Sequence, residues 1–76
     1  MTVTLYSKPG CHLCEDVRAA LDELQSELDF AIDEIDITRD AALFARYQFE
    51  IPVLLKDQKE IARGRIADHE LLSLLR

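Results

Sequence analysis

The sequence predicts an α/β fold with the element order β-α-β-α-β-β-α, arranged as a four-stranded mixed sheet with helices on both faces. Apolar and polar residues alternate over the first strand, and apolar residues then recur every three or four positions, which indicates a strand followed by a helix. A polar pair further on separates two short strand-like segments, as in an antiparallel hairpin. Because a strand–helix–strand unit forms a right-handed parallel pair, we expect that unit and the hairpin to share one sheet.

The first half of the chain contains the clearest periodic pattern. A strand is expected over residues 2–7, and Pro9 with Gly10 then forms a turn. The helix that follows begins at His12, with acidic residues in its first turn that complement the helix dipole. Its apolar stripe consists of Leu13, Val17, Ala20, Leu21, Leu24 and Leu28.

The second half predicts shorter elements. A second strand is expected near residues 30–36, although Glu34 and Ile35 interrupt its alternation. A short helix over residues 40–47 has Thr38 as its expected N-cap. The remaining elements are a third strand, a tight turn, a fourth strand and a closing helix, over residues 53–56, 57–58, 59–63 and 67–76.

Length and charge limit the classes of protein to consider. The 76 residues are enough for one domain, which we expect to span residues 1–76 as a monomer. The net charge is −6 and the nine basic residues are dispersed, which argues against nucleic acid as a partner. No apolar run reaches the roughly 18 residues needed to cross a bilayer, and the first residues do not resemble a signal peptide. We therefore expect no membrane association and a cytoplasmic location.

The segment with most chemical content is Cys11-His12-Leu13-Cys14. Two cysteines three positions apart at a helix N-terminus lie close enough to form a disulfide. Unpaired backbone N–H groups and the helix dipole favour a thiolate at Cys11, and such a position lowers a cysteine pKa from about 8.5 to roughly 3.5–7.5. Cys14, one turn further along, is suited to resolving a mixed disulfide. In the cytoplasm such a pair is seldom a structural disulfide.

Two other interpretations of the cysteine pair stay open. The pair could form half of a zinc site, since structural zinc takes four ligands. The only further soft ligands are His12, between the cysteines, and His69, in the closing helix. The cysteines could also be inert and buried, although the preceding Pro9-Gly10 turn places them at a helix start after a strand.

Three segments together resemble the glutaredoxins, small redox proteins of thioredoxin-like fold. Residues 5–14, Leu-Tyr-Ser-Lys-Pro-Gly-Cys-His-Leu-Cys, look like their first strand and active-site turn. Ile51-Pro52-Val53 resembles their second motif, which ends in a cis-proline facing the dithiol. Residues 33–36 resemble the acidic end of their second strand. The resemblance covers nearly the whole chain, and implies a thioredoxin-like or glutaredoxin-like fold.

The resemblance also implies roles for residues outside the dithiol. A cis bond before Pro52 would leave the N–H and C=O of Ile51 free to pair with an extended substrate or with glutathione, as in strand addition. Lys8 matches a lysine that holds the glycine carboxylate of glutathione. The plainer alternatives are that Pro52 starts an edge strand, since X–Pro bonds are mostly trans, and that Lys8 is a solvated loop residue.

The chain departs from standard glutaredoxins at two places. Leu13 stands where they carry an aromatic residue before the second cysteine. Their Gly-Gly turn followed by an acid, which cradles the γ-glutamyl end of glutathione, is reduced here to Gly64 with Asp68 four residues later. This arrangement is closer to the ribonucleotide-reductase redoxins, which resemble glutaredoxins but are reduced by thioredoxin reductase.

The function implied is thiol–disulfide oxidoreduction through Cys11 and Cys14, acting on protein disulfides or glutathione mixed disulfides. It requires no bound cofactor and no metal, only glutathione or a thioredoxin-reductase-type donor as co-substrate. One alternative is a non-catalytic thioredoxin-fold binding module with a redox-switchable disulfide. Another is a metal or iron–sulfur carrier, although glutaredoxins of that kind usually have a single active-site cysteine, so Cys14 argues against it.

Overall fold

A computed structural model describes residues 1–76. The elements follow the predicted order, with one additional 3₁₀ turn, Ile37–Arg39, before the second helix. The strands are β1 (Thr2–Ser7), β2 (Ala31–Asp36), β3 (Val53–Lys56) and β4 (Lys59–Arg63). The helices are α1 (His12–Leu24), α2 (Ala41–Tyr47) and α3 (Asp68–Leu75). None of these helices combines the length and the apolar character that a membrane span requires.

The four strands form one mixed sheet in the order β2-β1-β3-β4. β1 pairs parallel with β2, and the other two pairs are antiparallel, which confirms the predicted α/β architecture. Tyr6 near the end of β1 lies opposite Val53 at the start of β3. The alternative that Pro52 opens an edge strand is therefore wrong, because β3 is an interior strand. The loop after β1 and the peptide before β3 lie at the same end of the sheet.

Two apolar clusters cover the two faces of the sheet. The first joins the inward side chains of β1 and β3 to α1 and α3, and its buried members are Val3, Leu5, Val17, Leu21, Phe30, Leu54, Leu71 and Leu75. The second joins the opposite face to α2 and consists of Ile37, Tyr47, Val53 and Leu55. Helices on both faces are thus confirmed, because the side chains of β1 and β3 alternate between two buried clusters.

Helix α1 is shorter than its apolar stripe predicts. The helix ends at Leu24, and residues 25–28 turn toward β2. The Gln25 side-chain amide donates to the Phe30 carbonyl at 3.0 Å, which ties this turn to the residue that precedes β2. Leu28 still packs against the first cluster, but from the turn. The spacing of Leu28 therefore reflects a shared core and not continued helix.

The N-cap of α2 is Asp40, and the prediction of Thr38 is wrong. The Asp40 carboxylate accepts from the N–H groups of Ala42 and Leu43 at 3.0 and 3.1 Å. Thr38 lies in the additional 3₁₀ turn, where its hydroxyl and its N–H both donate to Asp36. The 3₁₀ turn and α2 are each capped by the aspartate directly before them, Asp36 and Asp40. Thr38 is therefore a donor to the first cap and not itself a cap.

Replacing Asp40 tests this cap. Asp40→Ala removes an acceptor from two helix N–H groups, and we expect the free energy of unfolding to fall by about 1 kcal/mol. Asp40→Asn is the matched control, since its side-chain oxygen accepts the same bonds. Urea denaturation measures both variants, and an equal loss in both would show that the carboxylate acts through its charge.

Replacing Thr38 tests the second cap through its effect on acidity. The Thr38 hydroxyl and N–H lower the pKa of Asp36 below its ordinary value of 3.8. Because the native-state pKa is lowered, the ionised Asp36 stabilises the native state at pH values above 3.8. This stabilisation is lost as the pH falls through the native-state pKa. In Thr38→Val we expect the pKa of Asp36 to rise toward 3.8, as followed by carboxyl NMR. Thr2→Val is the control, and an unchanged Asp36 pKa in Thr38→Val would contradict the assignment.

Candidate active site

Cys11 is the N-cap residue of α1. Its backbone is extended, at φ −89° and ψ 104°, and its Sγ accepts a hydrogen bond from the N–H of Cys14 at 3.2 Å. Cys11 is half-buried, whereas Cys14 is only 2 % exposed. The sulfur occupies the place of a capping oxygen, so the helix N-terminus acts directly on the atom that would carry the thiolate charge. One cysteine is thus accessible and the other shielded.

The two cysteines form a disulfide, and their Cα atoms are 5.2 Å apart. The turn that carries them is short. The Cys11 N–H donates to the Lys8 carbonyl at 3.3 Å, and Gly10 adopts a positive φ of 78°. A residue with a Cβ rarely takes that conformation, so the glycine lets the chain pass from β1 to the helix within four residues.

The Ile51–Pro52 peptide bond is cis, and Pro52 is fully buried at the start of β3. The Pro52 carbonyl accepts from the N–H of Gly64 at 2.7 Å, which brings Gly64 beside the second motif. Gly64 has a φ of 73°, and a Cβ at this position would meet nothing within 4 Å, so the glycine serves the backbone turn and leaves open space beside it.

Of the two Ile51 backbone groups predicted to be free, the N–H and the C=O, only the C=O is without a partner. Its N–H donates to the Tyr47 carbonyl at 3.2 Å and is not available to a ligand. The prediction of a free N–H is wrong because the chain closes a turn immediately after α2, and this turn uses the Ile51 N–H. The Ile51 carbonyl accepts no hydrogen bond from the chain, so it is the one backbone polar group of this residue left without a partner.

Lys8 is exposed and lies on a polar cleft of about 430 Å³ beside the active-site turn. Glu15 from the first turn of α1 lines the same cleft, together with Glu34 and Asp36 from β2. The lysine is the only basic residue among the lining side chains. A negatively charged group entering here would therefore meet one cation and three carboxylates.

Asp68 is the first residue of α3 and lines a groove of about 500 Å³ between that helix and α1. Leu13 of the active-site turn lines the opposite wall. The structure thus places Asp68 across a groove from the cysteine turn, with Arg65 as the basic residue on the lining. Arg63, on the other side of Gly64 along the chain, is occupied by Glu50 and Glu60 at 3.2 and 2.6 Å.

The two histidines lie apart from these contacts. The His12 ring is fully solvated, with Nδ1 at 3.6 Å from Glu15 on the helix surface. His69 lines a different cleft, between β4 and α3. Neither histidine is held toward the cysteines by a hydrogen bond.

A polar network beneath the active-site turn escaped the sequence prediction. The Ser7 hydroxyl donates to Glu34 Oε2 at 2.9 Å, and Arg18 Nη1 donates to Glu34 Oε1 at 3.1 Å. Arg18 Nε also donates to Asp22 Oδ1 at 3.0 Å within α1. The available signal was Glu34 itself, a charged residue that interrupts the alternation of β2 on the face that α1 covers.

Residues 2–76 match the family described as Glutaredoxin-like domain (DUF836). The chain belongs to this glutaredoxin-like family. It is 30% identical to the Glutaredoxin-like protein YDR286C homolog of Dictyostelium discoideum, over 93% of this chain and 71% of that protein.

Solved structures place the glutaredoxin-like chain among thioredoxin folds. A protein from X. campestris superposes with a TM-score of 0.82 at 29% identity, over 96% of this chain and 93% of its own. A thioredoxin from Halobacterium salinarum superposes with a TM-score of 0.71 at 22% identity, over 97% and 70%. The second likeness concerns the fold alone. The predicted thioredoxin-like architecture and glutaredoxin-like family are both confirmed.

Proposed function

We propose that this chain is a thiol–disulfide oxidoreductase that reduces protein disulfides or glutathione mixed disulfides through Cys11 and Cys14. The observation that carries the proposal is the Cys14 N–H to Cys11 Sγ hydrogen bond at the N-terminus of α1. A helix N-terminus stabilises the thiolate, which is the nucleophilic form of cysteine. The difference in burial supports separate roles, attack for Cys11 and resolution for Cys14.

The reaction proceeds by two exchanges. The Cys11 thiolate attacks one sulfur of a substrate disulfide, forms a mixed disulfide and releases the other substrate sulfur as a thiolate. The Cys14 thiol loses its proton to solvent and attacks Cys11 Sγ, which releases the second substrate thiolate and forms the Cys11–Cys14 disulfide. Two electrons pass from the dithiol to the substrate. Two glutathione thiols or a thioredoxin-reductase-type donor then return the pair to the dithiol form.

The substrate contacts we propose lie on both sides of Cys11. The free carbonyl of Ile51, at the peptide before Pro52, would accept an N–H from an extended substrate. Lys8 would bind the glycine carboxylate of glutathione. The groove that ends at Asp68, together with the open space at Gly64, would take the γ-glutamyl end.

Substitution of each cysteine tests the mechanism. In Cys11→Ser we expect reduction of any disulfide to fall to the uncatalysed rate, because the nucleophile is absent. In Cys14→Ser we expect loss of protein-disulfide reduction but retention of exchange with glutathione mixed disulfides, which an external thiol can resolve. A coupled reductase assay and mass spectrometry of the trapped mixed disulfide measure both. Unchanged turnover in Cys11→Ser would exclude the mechanism, and wild-type protein without turnover would favour the binding-module alternative.

Substitution of Lys8 tests the glutathione contact. We expect Lys8→Met to raise the KM for glutathione about threefold to fivefold, the effect of losing one exposed ion pair. Lys59→Met is the matched control, because Lys59 begins β4 at the opposite end of the sheet and the charge change is the same. Steady-state kinetics with each donor measure the effect. Equal KM values in the two variants would contradict a carboxylate site at Lys8.

A further inference from the structure

The Ser7–Glu34–Arg18 network joins the two elements that flank the active-site turn. Ser7 is the last residue of β1 and only 5 % exposed, and Arg18 lies on α1, one helical turn beyond Cys14. Each donates to a different oxygen of Glu34, at 2.9 and 3.1 Å. The four-residue turn over residues 8–11 therefore runs between a strand end and a helix that are fixed to the same carboxylate.

The network has little to contribute through its charges. The side chains of Arg18 and Glu34 are each 39% exposed, and ion pairs with that exposure add little to stability. The bond from Ser7 differs because its hydroxyl is buried, and a buried hydroxyl without a partner is costly. The network thus fixes the end of β1 most firmly against β2, through the Ser7–Glu34 bond, and Arg18 links α1 to the same carboxylate.

That position matters most in the reduced protein. In the oxidised form the Cys11–Cys14 bond itself holds the turn against the helix. When the bond opens, Cys11 Sγ stays at the helix N-terminus only through the Cys14 N–H contact at 3.2 Å and through whatever holds the turn in place. Ser7, Glu34 and Arg18 contain no sulfur, so their hydrogen bonds do not require the disulfide.

We propose that Glu34 is a positioning residue for the dithiol: by linking Ser7 to Arg18, its carboxylate holds Cys11 at the N-terminus of α1 once the disulfide has opened. This role rests on the proposed function, in which Cys11 is the nucleophile. Loss of the link lets the turn move in the reduced state alone, so the Cys11 thiolate loses helix stabilisation. The dithiol becomes less stable relative to the disulfide.

The test separates the reach of residue 34 from its charge. Glu34→Asp keeps the charge but is one methylene too short to bridge both partners. Glu34→Gln keeps the reach, because its oxygen can accept from Arg18 while its NH₂ donates to the Ser7 hydroxyl. Ser7→Ala removes the buried donor and leaves the ion pair, and it serves as the second variant if Glu34→Asp does not fold. Asp33→Asn, an exposed neighbour on β2 without a side-chain hydrogen bond, is the charge-matched control for Glu34→Gln.

The first readout is the rate at which iodoacetamide alkylates Cys11 at neutral pH, in full-length protein that also carries Cys14→Ser. We expect Glu34→Asp and Ser7→Ala to react about fivefold more slowly, because each loses about the net free energy of one hydrogen bond. Glu34→Gln and Asp33→Asn should react at least as fast as the parent. In proteins with both cysteines, equilibration with dithiothreitol should leave Glu34→Asp more oxidised than wild type.

The outcomes are decisive in each direction. A parent-like rate in Glu34→Asp, with faster alkylation in Glu34→Gln than in Asp33→Asn, would overturn the proposal in favour of a charge effect. Variants that lose stability in urea while alkylation stays at the parent rate would reduce the network to a structural role. Alkylation is stoichiometric and requires no turnover. If the wild-type protein fails to reduce disulfides, the proposed function is contradicted, but the alkylation measurement is unaffected.

Discussion

The first turn of α1 has backbone N–H groups without partners inside the helix, and a sulfur meets one of them. This contact, from the Cys14 N–H to Cys11 Sγ, is the interaction on which the site depends. An ordinary cap would place a serine or aspartate oxygen there. A sulfur at the cap makes the weaker acceptor, but it places the helix dipole on an atom that can change its charge and its covalent partner.

The sheet determines what this cap faces. β1 and β3 are the two interior strands, and their inward side chains are divided between two buried clusters. A shift of one residue in register would turn every side chain to the opposite face, so both clusters hold β1 against β3 in a single alignment. This alignment brings the end of β1 and the start of β3 to one end of the sheet. Packing in the core, away from the site itself, therefore places the cysteine turn and the Ile51–Pro52 peptide at the same end of the sheet.

Features that depend on local periodicity were predictable from the sequence. The bounds of β1, β3 and β4 agree with the predicted ones, and the cysteine turn lies at the start of a helix as expected. The errors concern choices among competing polar partners. Thr38 could cap a helix by its type, but the added 3₁₀ turn placed Asp40 there instead. The N–H of Ile51 is taken by a carbonyl four residues earlier, a turn that no residue pattern specifies.

Glu34 shows why part of the site lies beyond sequence patterns. Its pairing with Ser7 crosses from β2 to β1 diagonally and depends on the strand register, while its pairing with Arg18 depends on how α1 lies over the sheet. Arg18 is shared between Glu34 and Asp22, so it balances the charge of Glu34 only in part. In the first turn of α1, Glu15 contacts His12. Its neighbour Asp16, one turn into α1, also lies near the cysteine turn and has no basic partner. A carboxylate there opposes thiolate formation at Cys11 and partly offsets the helix N-terminus. The same helix thus supplies a group that favours the Cys11 thiolate, its N-terminus, and a group that opposes it, the Asp16 carboxylate.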